Sequence, residues 1–322
     1  SSDVCSSDLA AGALYGDADA KLEVLSSATR EQIEELPEYV QNTNFTVQHI
    51  EQGHVFDLEI HVYYEQEHAS VRIVDTHTNI VQIEKNWQVI FEDKTASLEL
   101  KADHSALIMK QIWDFSQTVD IDDVKEILDR QITCNMAIAN EGIHNSYGAN
   151  IGHVILNMDS DCVKTKAKAY AAAGSDARMN GCELPVVINS GSGNQGITCC
   201  VPVVVYAKEL DCTQEQLYRA LVLSNLTAIY IKTGIGTLSA FCGAVSSGAA
   251  AGAGIAYLHN GTYKEIQHTI VNALAILSGT ICDGAKASCA AKIASSVDAG
   301  IMGYYMYKNK QQFYAGDGIV AH

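Results

Sequence analysis

Apolar and polar side chains alternate along residues 43–93, whereas beyond residue 103 the apolar positions recur at helical spacing. The first region holds FTVQHIE, HVFDLEIHVYY, SVRIVDT, NIVQIEK and WQVIFED, rich in Val, Ile and aromatic residues. Period-two runs of this composition predict short antiparallel strands with one face buried and the other solvated. Turns are expected at Gln52-Gly53, at residues 65–68 and at Lys85-Asn86. Residues 10–36 read as helical, with a second helix starting at the Ser/Thr cluster of residues 27–29.

Beyond residue 103 the segments LIMKQIWDFSQTV, DVKEILDRQITCNMAIANEG, DCVKTKAKAYAAAGSDARM, TQEQLYRALVLSNLTAIYI, TYKEIQHTIVNALAILSG and AKASCAAKIASSVDAGIMGYYMY all predict helices. Thr213 and Gln216 make a capping box for one of them. The fold class expected is therefore α+β, with a small antiparallel β-containing subdomain followed by a large, bundle-like helical domain that carries the candidate chemistry. The division expected is residues 1–9, 10–102 and 103–322. The opening SSDVCSSDL does not read as protein-like and resembles a translated sequencing adapter, so residues 1–9 are expected to be a non-native leader and the chain to be truncated at both ends.

Residues 234–258 carry no charged side chain and are long enough to span a bilayer. Small residues dominate the run, however, so its transfer into lipid is poorly driven. A central soluble helix packed closely on all sides is the better reading. At 322 residues, with 48% apolar residues and 3 prolines, the chain has ample material for a buried core. A formal charge of −17 argues against nucleic acid or an anionic membrane surface as partner. Ten cysteines without a signal peptide suggest reduced thiols and a cytoplasmic location.

Cys242, Cys282 and Cys289 form a pattern that suits a metal cluster, two of them on one Gly-containing turn and the third at a distance in sequence. Three protein thiolates leave one iron of a [4Fe–4S] centre open, and an open position invites substrate. Residues 189–196, NSGSGNQG, offer a close backbone approach and donors from Ser190, Ser192 and Asn194 ahead of a helix start. That suits an amino-acid carboxylate, and a flexible Gly/Ser loop is the plain alternative. Arg178 could grip the same carboxylate or pair with Asp176 or Glu183. His77 and Asn79 stand ahead of a strand, His77 as a candidate general base or a turn residue. Asn140, Glu141 and Gly142 read as a helix stop. Cys134 and Cys162 read as buried helical residues, Cys182 and Cys212 as loop residues, Cys199 and Cys200 as packing.

SDARM, LPVVINSGSGNQGIT, SNLTAIYIK, LSAFCGA and SGTICDGAKASCAAK, in this order and together with THTNIVQIE and ANEGI, resemble the L-cysteine desulfidase family, related to the α-type domain of iron–sulfur L-serine dehydratases. The resemblance implies a [4Fe–4S] cluster on Cys242, Cys282 and Cys289 and a β-elimination that uses no pyridoxal phosphate. The expected substrate is a small amino acid, L-cysteine or L-serine, and a homodimer stays open as the assembly. Arg178, Ser190, Ser192, Asn194 and Asn79 are the expected substrate contacts, His77 and Lys292 the catalytic candidates, and Asp283 a neighbour of the cluster. Family members also carry a Cys-Thr-Glu-Pro stretch that this chain lacks, so the chain as given is expected to be impaired. A non-catalytic iron–sulfur sensor or scaffold is the reading from a different class.

Overall fold

The computed structural model describes residues 2–25, 27–51, 53–54, 56–93, 104–236 and 239–320. The chain divides into two compact units, Ser1–Lys101 and Ala102–His322.

In the first unit, helix α1 (Ser2–Tyr15) is followed by α2 (Arg30–Asn42). Thr29 caps α2 through a capping box with Gln32, so the start expected at residues 27–29 is where the helix begins. Four strands follow, β1 (Asp57–Tyr64), β2 (Glu67–Val74), β3 (Ile80–Lys85) and β4 (Gln88–Glu92), in an antiparallel meander of order β1-β2-β3-β4. Asn86 and Trp87 both take positive φ, 49° and 68°, and make the two-residue turn between β3 and β4. The turn expected at Gln52-Gly53 begins outside the described residues.

Two expectations are corrected here. FTVQHIE alternates yet is not a strand, because alternation becomes a strand only when a neighbour supplies the ladder, and the described sheet begins with β1. Nor is the apolar side of the sheet the buried one. On β2 the buried residues are His68, Ser70 and Val74. His68 is covered by aromatic neighbours, stacked on Trp87 at 4.2 Å and tilted against Tyr63 at 4.9 Å. Leu58, Val62 and Phe91 remain exposed.

The second unit is helical: α3 (Met109–Thr118), α4 (Ile121–His144), α5 (Ile151–Met158), α6 (Val163–Met179), α7 (Gly193–Glu209), α8 (Gln214–Ile235), α9 (Gly243–Leu258), α10 (Tyr263–Ile276) and α11 (Ser288–Lys308). The α+β class expected from the change of periodicity is what the chain adopts. Thr213 caps α8 with Gln216 as the sequence indicates. Helix α9 is the centre, packed against α7, α8, α10 and α11, with almost every residue buried. Small residues serve that packing: a Cβ on Gly248 would lie 2.4 Å from the Ser296 carbonyl oxygen, and one on Gly252 2.6 Å from that of Gly300. No helix among the described residues is long and apolar enough to cross a membrane.

Gly142 does not stop α4, which runs on to His144. A Cβ at Gly142 would lie 2.0 Å from the Ala173 carbonyl oxygen, so this glycine lets α4 and α6 touch. Helix α5 carries no signal strong enough to be expected from eight residues. Cys162, read as buried, is the exposed N-cap position of α6.

Candidate active site

The ends of several helices meet at one place in the second unit. The last turn of α6 carries Arg178, and the first turns of α7, α9 and α11 carry the glycine-rich loop, Cys242 and Cys289. These helices pack on one another pairwise, α6 on α7 and α11, α9 on α7 and α11.

Cys242 is the N-cap residue of α9 and its thiol is nearly buried. A short antiparallel bridge, Phe241 with Ile281, brings the segment of Cys282 alongside. Cys242 donates its N–H to the Thr280 carbonyl (3.1 Å), and Cys282 donates to that of Ala240 (2.8 Å). The chain then turns at Gly284, φ 90°, and enters α11, where Cys289 accepts the Lys286 N–H on its sulfur at 3.5 Å. Burial pushes the Cys242 thiol up, the Ala244 N–H opposes that, and Cys282 and Cys289 add to the rise. Cys242 thus feels both other thiols, and Cys242 and Cys289 stand at the starts of α9 and α11.

Cations surround them. Lys292 is hydrogen bonded to Asp283 and to the Ile281 carbonyl, and the Asp283 pairing raises its pKa, with Cys242 and Cys289 contributing. Lys232 on α8 is pulled down by burial while Cys282 and Cys242 act the other way. Arg178 is likewise lowered by burial and supported by Cys289. Among the described residues no three His, Cys, Asp or Glu side chains are close enough to grip a single metal ion. A four-iron cube holds its thiolates farther apart than one ion does, and three thiols gathered at these helix ends with Lys292, Lys232 and Arg178 near them have the donor chemistry such a cube requires.

The glycine-rich loop is a built turn. Asn189 and Ser192 pair through both backbone bonds, at 3.1 and 3.0 Å, while Ser190 and Gly191 take φ of 49° and 77°. Two successive positive φ values define a type I′ turn, for which Gly is well suited and Ser is strained. Ser192 then caps α7 by accepting the Gln195 N–H. Arg178 lies against this first turn: its Nη1 donates to Asn194 Oδ1 at 3.3 Å, and a Cβ on Gly193 would sit 2.3 Å from its Nε. The sequence left Arg178 between a substrate and an ion pair. Asp176 instead accepts the Ile151 N–H at 2.7 Å, and among the described residues Arg178 has no carboxylate partner.

Cys242, Cys282, Cys289, Lys292, Arg178, Ser190, Ser192 and Asn194 all belong to these helix ends and the loops that lead into them. His77 and Asn79 belong to the first unit, in the β2–β3 turn, where His77 packs on Phe56 at 4.9 Å and Asn79 donates to the Val74 carbonyl at 3.0 Å. Sequence reasoning missed Lys232, Gln195 and the amides behind the loop. Asn135 bonds both backbone groups of Val187, and Gln131 pairs with Asn225. Gln131 and Asn135 stand four apart on α4, so they share a face. Their partners lie 52 to 94 residues away in sequence, so no local pattern marks them.

Residues 19–322 match the serine dehydratase alpha chain family. A UPF0597 protein of Desulfitobacterium hafniense is 52% identical over 97% of this chain and 73% of its own length. A UPF0597 protein of Lachnoclostridium phytofermentans is 48% identical over 96% and 74%, and one of Treponema denticola 43% identical over 96% and 74%. No solved structure matches the chain. The chain belongs to the serine dehydratase alpha chain family and has its similar relatives among the UPF0597 proteins.

Proposed function

We propose that this chain is an iron–sulfur-dependent lyase that eliminates the β-substituent of L-cysteine, giving pyruvate, ammonia and sulfide. The observation that carries the reading is the meeting of three thiols with a carboxylate seat at one cluster of helix ends. Cys242, Cys282 and Cys289 would hold a [4Fe–4S] cluster. When bound, such a cluster supplies an iron with an open position, a Lewis acid suited to a departing thiol or hydroxyl.

The remaining work falls to the chain's own side chains. Arg178, half-buried and without a carboxylate partner among the described residues, takes the substrate carboxylate, helped by the N-terminal dipole of α7. Gly193 gives the guanidinium room to lie there. Lys292 holds a proton on Nζ, since its bond to Asp283 raises its pKa, and it is therefore a donor toward the departing atom and not the base for the α-proton. Soft thiolate chemistry favours L-cysteine. L-Serine is the second reading, favoured by the family's own description.

Purification and reconstitution without oxygen test this directly. The expected result is a brown protein that releases sulfide and pyruvate from L-cysteine in equal amounts. Alanine at Cys242, Cys282 or Cys289 should each remove the visible charge-transfer absorbance. An iron-free protein after reconstitution, or a variant that keeps the normal absorbance, would sink the ligand set.

A further inference from the structure

A chain of hydrogen bonds behind the glycine-rich loop fixes the direction in which the Ser190 hydroxyl points its proton. Asn225 on α8 is the starting point. Its Nδ2 lies 2.9 Å from the Leu221 carbonyl oxygen and 2.8 Å from Gln131 Oε1. A backbone carbonyl can only accept, so that end of the Asn225 amide must be the nitrogen. Its Oδ1 therefore faces the other way, where it accepts from Gln131 Nε2 at 2.9 Å, Asn189 Nδ2 at 3.0 Å and the Cys199 thiol at 3.3 Å.

The same logic passes to the next residue. Asn189 Nδ2 also lies 3.2 Å from the Asn225 carbonyl oxygen, so this end of Asn189 is the donor and its Oδ1 is turned toward the loop. Ser190 Oγ stands 2.9 Å from that Oδ1. An amide oxygen has no proton to give, so the single Ser190 proton goes to Asn189. What Ser190 turns outward is lone pairs alone. Asn189 is buried, whereas Ser190 is only half-buried, in the loop that leads into α7.

The sequence suggested that Ser190 donates to a carboxylate; the network gives it the opposite polarity. We infer that Ser190 is the acceptor for the substrate's α-ammonium, preset by Asn225 through Asn189, and so selects amino acids over acids that lack the amine. This rests on the amino-acid lyase reading and divides the seat in two, with Arg178 and the α7 N-terminus for the carboxylate and Ser190 for the ammonium. The φ of 49° at Ser190 agrees with a residue held in a strained conformation for use.

Equilibrium binding of L-alanine and of propionate to the cluster-loaded chain, followed by calorimetry, tests the inference. The two ligands share a carboxylate and differ in the amine, and neither carries a leaving group. Ser190→Gly is the first variant because glycine accepts the positive φ without strain, and its melting temperature should stay within a few degrees of the parent. Ser190→Ala is the second. In both, L-alanine should bind about tenfold more weakly, the usual effect of losing a hydrogen bond to a charged group. Propionate should bind as before. Equal weakening of the two ligands, a loss confined to propionate, or no change in either overturns the role of Ser190 and leaves the lyase reading standing. A parent chain that binds neither ligand overturns both.

Discussion

Arg178 is the residue on which the substrate seat turns. Arg178 is half-buried, partial burial lowers its pKa, and among the described residues it has no carboxylate partner, so a ligand carboxylate would offset the cost of desolvating it. Arg178→Lys keeps the charge and loses the planar fork that fits a carboxylate at two points. We expect kcat/KM for L-cysteine to fall roughly tenfold to a hundredfold, mostly through KM, because the lost contact is made in ground state and transition state alike. Steady-state kinetics against cluster content checks this, and an unchanged KM would remove Arg178 from the seat. Residue chemistry of this kind was legible in the sequence, as cysteines, an arginine and a glycine-rich loop each carry their function in their composition. The supporting amides were not, because Gln131, Asn189 and Asn225 act through partners 36 to 94 residues away, and nothing local marks that pairing. The polarity of Ser190 was illegible for the same reason, as it depends on where a proton goes three residues down a network.

At the scale of elements, helix α9 shows what local pattern can and cannot specify. Its small residues announced close packing, and the structure places Gly252 and Gly248 against the backbone of α11. Gly252→Ala should therefore destabilise the protein by roughly 1–3 kcal/mol, since the added methyl meets the Gly300 carbonyl and neither backbone can yield. Gly234→Ala, in a helix position where a Cβ would meet nothing within 4 Å, should instead stabilise by about 0.5–1 kcal/mol. Urea denaturation of the two variants beside the parent gives the comparison. Equal effects would mean that the α9–α11 crossing has room for a methyl group at Gly252. Periodicity served well for the long helices, whose apolar stripes repeat several times. It failed for FTVQHIE, where alternation lacks a partner strand, for α5, which is too short to show a period, and at Gly142, where a glycine that reads as a stop is a point of contact. In each case the deciding fact is tertiary.

At the scale of the whole chain, the three cysteines lie on separate segments: the start of α9, the strand-like piece paired with it, and the start of α11. Helix α9 is the centre of the helical unit and α11 packs along it, so anything that ties these starts together reaches the core directly. A cluster that binds the folded chain and not the unfolded one stabilises the former by mass action, and cross-linking distant segments adds to this. For a unit of this size, occupancy equivalent to a hundredfold excess over the dissociation constant should raise the melting temperature by roughly 5–10 °C. The comparison is between the reconstituted and iron-free protein under argon, with Cys242→Ala treated in parallel. The variant should show no such rise, since loss of the buried thiol leaves Cys282 and Cys289, neither of which is on α9. A rise of equal size in that variant would mean that iron stabilises the chain from elsewhere, and the meeting of helix ends would then need a different ligand to explain it.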